Sequence, residues 1–467
     1  MHQFRISMRI LTLLLMTLFI GCAKVPHQPG FDLVKEDVSD RIGYGLHWHT
    51  GPATDMQVAE NIEQLLGKPL TADSAVRITL INNRRIQEFY MDLGISKADL
   101  VHAGLLSNPV FDASVLFPLN SGGTEINLGL TQRFFDIFLI PLKKRIAQSQ
   151  FEEVKAMVSS QIMDLAYDAR IAFFEAQADV QRIELLRQKL LTAELSYDLA
   201  VRLREAGNIT ELVLHEQRDH YETSRLKLRR AETSLNLSRE HLNRMMGLWG
   251  EQVLWKIEDQ LPEIQSEDLE DGFEPSELES IAIEASLDLE AARQRIITAG
   301  RLVGINDATA LIPSFELGVK AEKNDDWALG PSVSFPLPLF NRGLARHHGP
   351  FNFRKQQESY TALAVEIRSI TRESVYKLES YKDMVIHYQN VILPLRERIV
   401  NETQLQYNAM EAGPMDLLRS KEHQIEAHLQ YLTATKNYWI ARARMEQLSS
   451  GSFSGVKQDV SSGSMHR

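Results

Sequence analysis

The chain has a single cysteine, Cys22, so disulfides, cysteine-rich metal sites and thiol catalysis are excluded from everything downstream of it. Basic charge is also short. Against 62 Asp and Glu stand 51 Lys and Arg, for a net charge of -11, whereas a nucleic-acid partner calls for a basic face. Past the extreme N-terminus no apolar run approaches the roughly 20 residues of a membrane-spanning helix. The mean hydropathy of -0.22 does not exclude a membrane β-barrel, whose alternating strands keep the average low. No phosphate-binding loop, GxSxG elbow or HExxH helix is present, and the many acidic pairs read as solvated helix faces or ion pairs. The chain is therefore read as a non-enzyme without a bound cofactor.

Histidine occurs in pairs: His47 with His49, His215 with His220, and His347 with His348. Two donors fall short of the three or four ligands that zinc needs. His47 and His49 would project the same way only in a strand, and His215 and His220, five apart, do not share a helical face. No metal ligands are assigned from these pairs.

Glycine and proline are missing over long stretches. Leu142 to Ala206 contains neither, Gly207 interrupts, and Asn208 to Met246 is again free of both. The first stretch alone is about 65 residues, or about 95 Å as continuous helix. Apolar residues recur at 3–4 spacing, Leu186, Leu190, Ala193, Tyr197 and Ala200 on one arm, Leu228, Ala231, Leu235, Ser238, Leu242 and Met245 on the other. Such seams predict an antiparallel coiled-coil hairpin that turns at the glycine. The pattern returns from about Phe351 to Ala412 and from Met415 to Leu448, with Ile425, Leu429, Leu432, Trp439 and Ala443 as seam and Pro394 forcing a kink or break.

The chain is a tandem duplication. "NPVFDASVLF" (Asn108–Phe117) is echoed by "IPSFELGVK" (Ile312–Lys320), and "EAGNITELVL" (Glu205–Leu214) by "EAGPMDLLRS" (Glu411–Ser420), at an interval of about 205 residues. Each copy opens with a helix, N-capped by Thr71 or Ser276. Two short alternating runs follow, with Phe111, Ala113, Val115 and Phe117 on one face and Asp112 and Ser114 on the other, which is hairpin patterning. The long helical hairpin closes each copy. The expected organisation is a signal segment over 1–21, an N-terminal anchor or extended segment over 22–69, repeats over 70–250 and 275–448 joined by a linker over 251–274, and a disordered polar tail over 449–467.

The first residues carry Arg5, Arg9, an apolar run from Ile10 to Ile20, and then Gly21-Cys22. That is an export signal, too short for a dependable span. A small residue before the cysteine resembles a bacterial lipoprotein signal, which implies lipid on Cys22. Ala23 after it favours the outer membrane. An ordinary signal with an incidental cysteine is the alternative.

"VRLREAGNITELVLHEQRD" and "ILPLRERIVNETQLQYNAMEAGPMDLLRSKEH" resemble the two helical hairpins of TolC-type outer-membrane efflux proteins. "FPLPLFNRGLARH" (Phe335–His347) resembles the strand-to-helix join of their CusC- and CzcC-like heavy-metal branch, although "NRGLARHHGPF" departs from that branch's usual continuation. The resemblance spans about Leu70 to Leu448. It implies a mainly α fold with a small β part. Three copies would build an α-helical periplasmic tunnel and a twelve-stranded barrel in the outer membrane. It also implies a homotrimer that meets a periplasmic adaptor and an inner-membrane RND-type pump. The hairpin tips that dock the adaptor would be Glu205, Ala206, Gly207, Asn208 and Ile209, and Glu411, Ala412, Gly413 and Pro414. The constriction would use Glu211 and Asp416, with Arg419 where a second acid is common. On physical grounds these acids can form a cation-favouring ring, or only stabilise helix N-termini, worth roughly 0.3–1 kcal/mol each. The implied function is a passive efflux duct for metal ions, drugs or secreted polypeptide. A pore-less coiled-coil spacer is the structural alternative, disfavoured by the two strand pairs. Replacing Cys22 with Ser is expected to abolish incorporation of labelled acyl chains; label that persists would rule out the lipoprotein reading.

Overall fold

The computed structural model describes residues 26–117, 124–258, 260–264, 274–311, 316–323, 326–335 and 344–453. The helices are α1 (Phe31–Ile42), α2 (Pro52–Leu66), α3 (Ala72–Asn82), α4 (Arg84–Ala103), α5 (Asp136–Glu205) and α6 (Glu211–Met246), then α7 (Pro275–Ala285), α8 (Leu287–Leu311), α9 (Leu344–His387), α10 (Leu393–Asn408) and α11 (Pro414–Ser450). The strands are β1 (Val110–Leu116), β2 (Glu125–Arg133), β3 (Glu316–Lys323) and β4 (Trp327–Ser334). In each repeat two helices precede a strand pair and long helices follow it, as the duplication requires. Among the described residues no helix is long and apolar enough to cross a membrane.

Contacts divide the chain into two compact units. The first gathers Tyr90–Ala156, Glu290–Tyr360 and the residues before Lys35, and holds the sheet. All four strands pair antiparallel in the order β1-β2-β3-β4. The pairing of β2 with β3 joins the repeats, aligning Leu128 with Ala321 and Leu130 with Val319. Strand alternation then sorts the residues. One face collects Phe111, Ala113, Val115, Ile126, Leu128, Leu130, Val319, Ala321, Trp327 and Leu329. The other collects Asp112, Ser114, Asn127, Thr131, Lys320, Glu322, Ser332 and Ser334. Every residue of β1 is exposed in the single chain, and Phe111 and Leu329 keep 67% and 78% of their surface open.

The second unit gathers Lys35–Phe89, Met157–Leu289 and the chain from Thr361 on, and contains the main core. Ile62, Leu70, Ile78, Phe173, Leu242, Met246 and Trp255 form one cluster; Val375, Leu378, Val385, Tyr438 and Met445 form its counterpart in the second repeat. A polar layer laces α5 to α11. Arg170 pairs with Glu446 at 2.8 Å, Arg444 with Asp168 at 2.8 Å, and Gln447 donates to Asp164 at 2.6 Å. Half-buried charges are favoured when paired and hydrogen-bonded, and these pairs join residues of the first and second repeats. Nearer the hairpin ends Lys189 pairs with Glu426 and His220 with Glu422.

Several local expectations change. The segment before Leu70 is not extended throughout: Phe31, Val34 and Val38, at helical spacing, are buried and make α1. The opening helix of the first repeat breaks at Asn83, which keeps a β-region backbone and donates its side-chain amide to the Met245 carbonyl. Thr71 caps α3 as expected, exchanging hydrogen bonds with Ser74. Ser276 does not cap α7; Glu274 takes that position because Pro275, with its preset φ, opens the helix. The seam of α6 ends on Met246 and Asn243, since Met245 is only half-buried. In the described part of the inter-repeat linker, Leu70 bridges to Ile257, and Trp255 sits beneath the Arg239 guanidinium at 4.0 Å. Pro394 lacks the N–H that a regular turn needs, and a π-helical stretch over Tyr388–Ile392 leads into α10.

Of the polar tail expected over 449–467, residues 449–453 are described and are ordered, and 454–467 lie outside the described residues. Ser449 and Ser450 are helical, and Phe453 is buried. Gly451 ends α11 with a left-handed φ of 101°. Its carbonyl accepts from the Leu287 N–H at 2.9 Å, while Arg41 donates to the carbonyls of Ala285 and Ser450. A Cβ at 451 would collide with the Ala285 carbonyl oxygen. Gly451→Ala is expected to cost about 2 kcal/mol or more, read as a fall in the thermal unfolding midpoint.

Candidate functional site

The first hairpin tip is a complete Schellman turn. Gly207 takes the left-handed position with φ 78°. The Asn208 N–H donates to the Leu203 carbonyl at 2.8 Å and the Gly207 N–H to Arg204 at 2.9 Å, which satisfies carbonyls that the helix end would orphan. Thr210 then caps α6 by accepting from the Val213 N–H.

The second tip repeats this geometry on different residues. Its left-handed residue is Met410, φ 60°, the one non-glycine with positive φ among the described residues. Glu411 donates to Gln406 at 2.8 Å and Met410 to Tyr407 at 3.0 Å, the same two hydrogen bonds. Gly413, the apparent counterpart of Gly207, is instead the N-cap of α11 with an ordinary φ of -79°, and Pro414 supplies the first helical residue. The structural equivalents are thus Gly207 with Met410 and Thr210 with Gly413. The similarity of "EAGN" and "EAGP" is offset by three residues from the turn itself. A methionine in this region costs about 1 kcal/mol relative to glycine, yet its side chain is 94% exposed.

The two acids occupy different places. Glu211 is the first residue of α6 and pairs with Arg204 across the turn at 2.8 Å, with His215 at 3.7 Å. The hydrogen bond from Arg204, and its charge, hold the Glu211 carboxyl below the usual range. Asp416 stands three residues into its cap and accepts the Gly413 N–H at 3.1 Å. Among the described residues the two are not hydrogen-bonded to each other. Arg419 is exposed one turn on. Glu205, Ala206, Gly207, Asn208 and Glu411 are exposed, while Ile209 and Ala412 are half-buried. Cys22 lies outside the described residues. Of the histidine pairs, His215 and His220 have separate acidic partners, Glu211 and Glu422.

The structure thus combines a four-stranded antiparallel sheet, rich in apolar residues on one face, with helical hairpins that reverse at exposed tips. Residues 103–248 match the outer membrane efflux protein family. No curated protein sequence matches the chain. Its fold is shared with solved channels at low identity. The Campylobacter jejuni CmeC outer membrane channel aligns with a TM-score of 0.68 at 14% identity, covering 84% of this chain and 89% of that one. The CusC structure gives 0.63 at 16%, covering 81% and 90%. The open-state Neisseria gonorrhoeae MtrE channel gives 0.62 at 16%, covering 81% and 89%. The chain therefore shares the fold of solved outer-membrane channels.

Met410→Gly is expected to relieve the left-handed strain, slowing hydrogen exchange of the Glu411 and Ala412 amides by on the order of five-fold. Ala409→Gly, at a residue without positive φ, is the control and should not slow it.

Proposed function

We propose that the chain is the exit duct of a tripartite efflux assembly and works as a homotrimer. The observation that carries this reading is the open sheet. In hydrocarbon each unpaired backbone group costs several kcal/mol, and among the described residues β1 and β4 each leave one edge without a partner strand. Four alternating antiparallel strands leave β1 and β4 running in opposite directions. The β4 edge of one copy can therefore pair antiparallel with the β1 edge of the next, and the ring closes without a direction clash. Three copies supply twelve strands, within the range of known barrels. The apolar face then meets lipid, and the face with Asp112, Lys320 and Glu322 lines a polar lumen.

The helical hairpins of the second unit would line a periplasmic tunnel, with their tips meeting a periplasmic adaptor and an inner-membrane RND-type pump. Lipid on Cys22 belongs to the same proposal. Conduction is passive: energy comes from the pump, and the duct supplies a water-filled path. At the tips Glu211 and Asp416, repeated around the trimer axis, would favour cations. In this reading their hydrogen bonds to Arg204 and to the Gly413 backbone hold them in place. The cargo reading, heavy-metal cations, rests on the resemblance of Phe335–His347; metal sensitivity of a deletion strain without drug sensitivity tests it, and the reverse pattern overturns it.

For the duct, the purified protein in planar bilayers is expected to show a channel that is mostly closed and cation-preferring. The double variant Glu211→Ala, Asp416→Ala should raise conductance or flatten selectivity. A channel unchanged in both respects would remove these acids from the gate.

A further inference from the structure

Between α1 and α2 the chain runs through "LHWHTGPATD" (Leu46–Asp55). Leu46 and Trp48 are buried, and the histidines that alternate with them turn the other way. Gln87, on α4, fixes this alternation. Its amide nitrogen donates to the His47 carbonyl and its amide oxygen accepts from the His49 N–H, each at 2.9 Å. One side chain thereby stands in for a neighbouring strand. The two imidazoles converge with ring centres 5.2 Å apart. Asp55, in the first turn of α2, closes the group from the other side.

We propose that His47, His49 and Asp55 bind one divalent transition-metal ion of borderline softness, such as zinc, through His47 Nε2, His49 Nδ1 and an Asp55 carboxylate oxygen. One ligand atom from each residue lies within 4.8 Å of both others. The Asp55 oxygen is 2.9 Å from His49 Nδ1 and 3.9 Å from His47 Nε2. Ligands about 2.1 Å from a tetrahedral zinc stand roughly 3.4 Å apart, so the two Asp55 pairs need adjustments of only about 0.5 Å, and the imidazole pair closes by rotation of the rings.

Three further features suit a metal. First, His49 Nε2 lies 3.1 Å from the Ile81 carbonyl, which can only accept, so Nε2 carries the proton and donates. That leaves Nδ1 as the ligand atom, oriented by the carbonyl-anchored imidazole common in metal sites. Secondly, a neutral Nδ1 and a carboxylate would repel at 2.9 Å unless a cation, either a proton or a metal, lies with them. Thirdly, His47 Nε2 is a buried nitrogen with no hydrogen-bond partner, a costly condition that a metal bond would remove.

The donor set selects the ion. Two imidazoles and one carboxylate suit Zn2+, Ni2+ or Cu2+; calcium and magnesium prefer oxygen alone, and soft Cu(I) prefers sulfur. Three protein ligands leave a position for water. The bound ion would act as a clip, fastening the segment around Trp48 to the first turn of α2 and, through Ile81 and Gln87, to α3 and α4. The test of this site does not depend on the duct proposed above.

The test uses the full-length protein, purified without a histidine tag, stripped with chelator and titrated with Zn2+ by calorimetry. The expected result is a site holding one zinc per chain that His47→Ala weakens by about ten-fold or more. His215→Ala and His348→Ala should leave it intact. His47 Nε2 makes no hydrogen bond in the structure, so His47→Ala puts little of the fold at risk. Asp55→Asn is a second probe of the same site. Zinc should also raise the unfolding midpoint of the wild type and not of His47→Ala. Wild-type zinc uptake equal to that of His47→Ala would overturn the proposal and leave His49 and Asp55 as an ordinary imidazolium–carboxylate pair.

Discussion

A β-sheet in hydrocarbon cannot keep a free edge, and under the proposed function the rest of this protein answers to that constraint. Among the described residues there are four strands, a fully exposed β1, and two sheet edges without partner strands. Phe111, Val115 and Leu329 would be an aggregation hazard on a chain that stayed alone in water. On a barrel wall the same residues are the surface that lipid requires. An even number of antiparallel strands per copy allows identical copies to close the ring without a parallel junction.

The long helices face the opposite problem. Helices of 70 and 36 residues have too little apolar surface of their own to form a conventional core. They are held by a narrow seam, with Leu186, Ala193, Ala200, Ala231 and Leu432 buried along it, and by charged pairs between copies of the repeat. Arg170 with Glu446, Arg444 with Asp168 and Lys189 with Glu426 each join α5 to α11. Small alanines let the helices approach, and the pairs set their register. An ion pair is specific about its partner in a way that a leucine seam is not.

The tips show how two copies of one sequence diverge while the backbone turn is kept. Both reversals use the same pair of hydrogen bonds, one around Gly207 and one around Met410. The first copy satisfies the left-handed position with glycine. The second puts an exposed methionine there and spends its glycine and proline on starting the next helix. Conformational strain at an exposed residue is retained at sites with a task, and under the proposed function the task is contact with the adaptor.

Much of this was legible because it follows from short-range periodicity. The duplication, the alternation in "VFDASVL", the glycine- and proline-free helices and the cap at Thr71 each depend on residues within a few positions of one another, as does the break forced by Pro394. What failed was also local in origin. Gly413 resembles Gly207 in its sequence neighbours, but a turn is assigned by backbone dihedrals, and Met410 holds the left-handed one. Ser276 looks like a cap until Pro275 takes the first helical position. Met245 and Met246 fit a 3–4 spacing almost equally well, and packing chose the second. The histidines were judged as pairs because Asp55 belongs to another element. Gln87 and Ile81, which orient them, lie more than thirty residues further on. The sequence by itself determined the elements, their order and their repetition, since each is written in local spacing. Only the tertiary structure decided that β2 pairs with β3, that α5 is laced to α11, and that His47, His49 and Asp55 meet, because those contacts join residues whose spacing carries no signal.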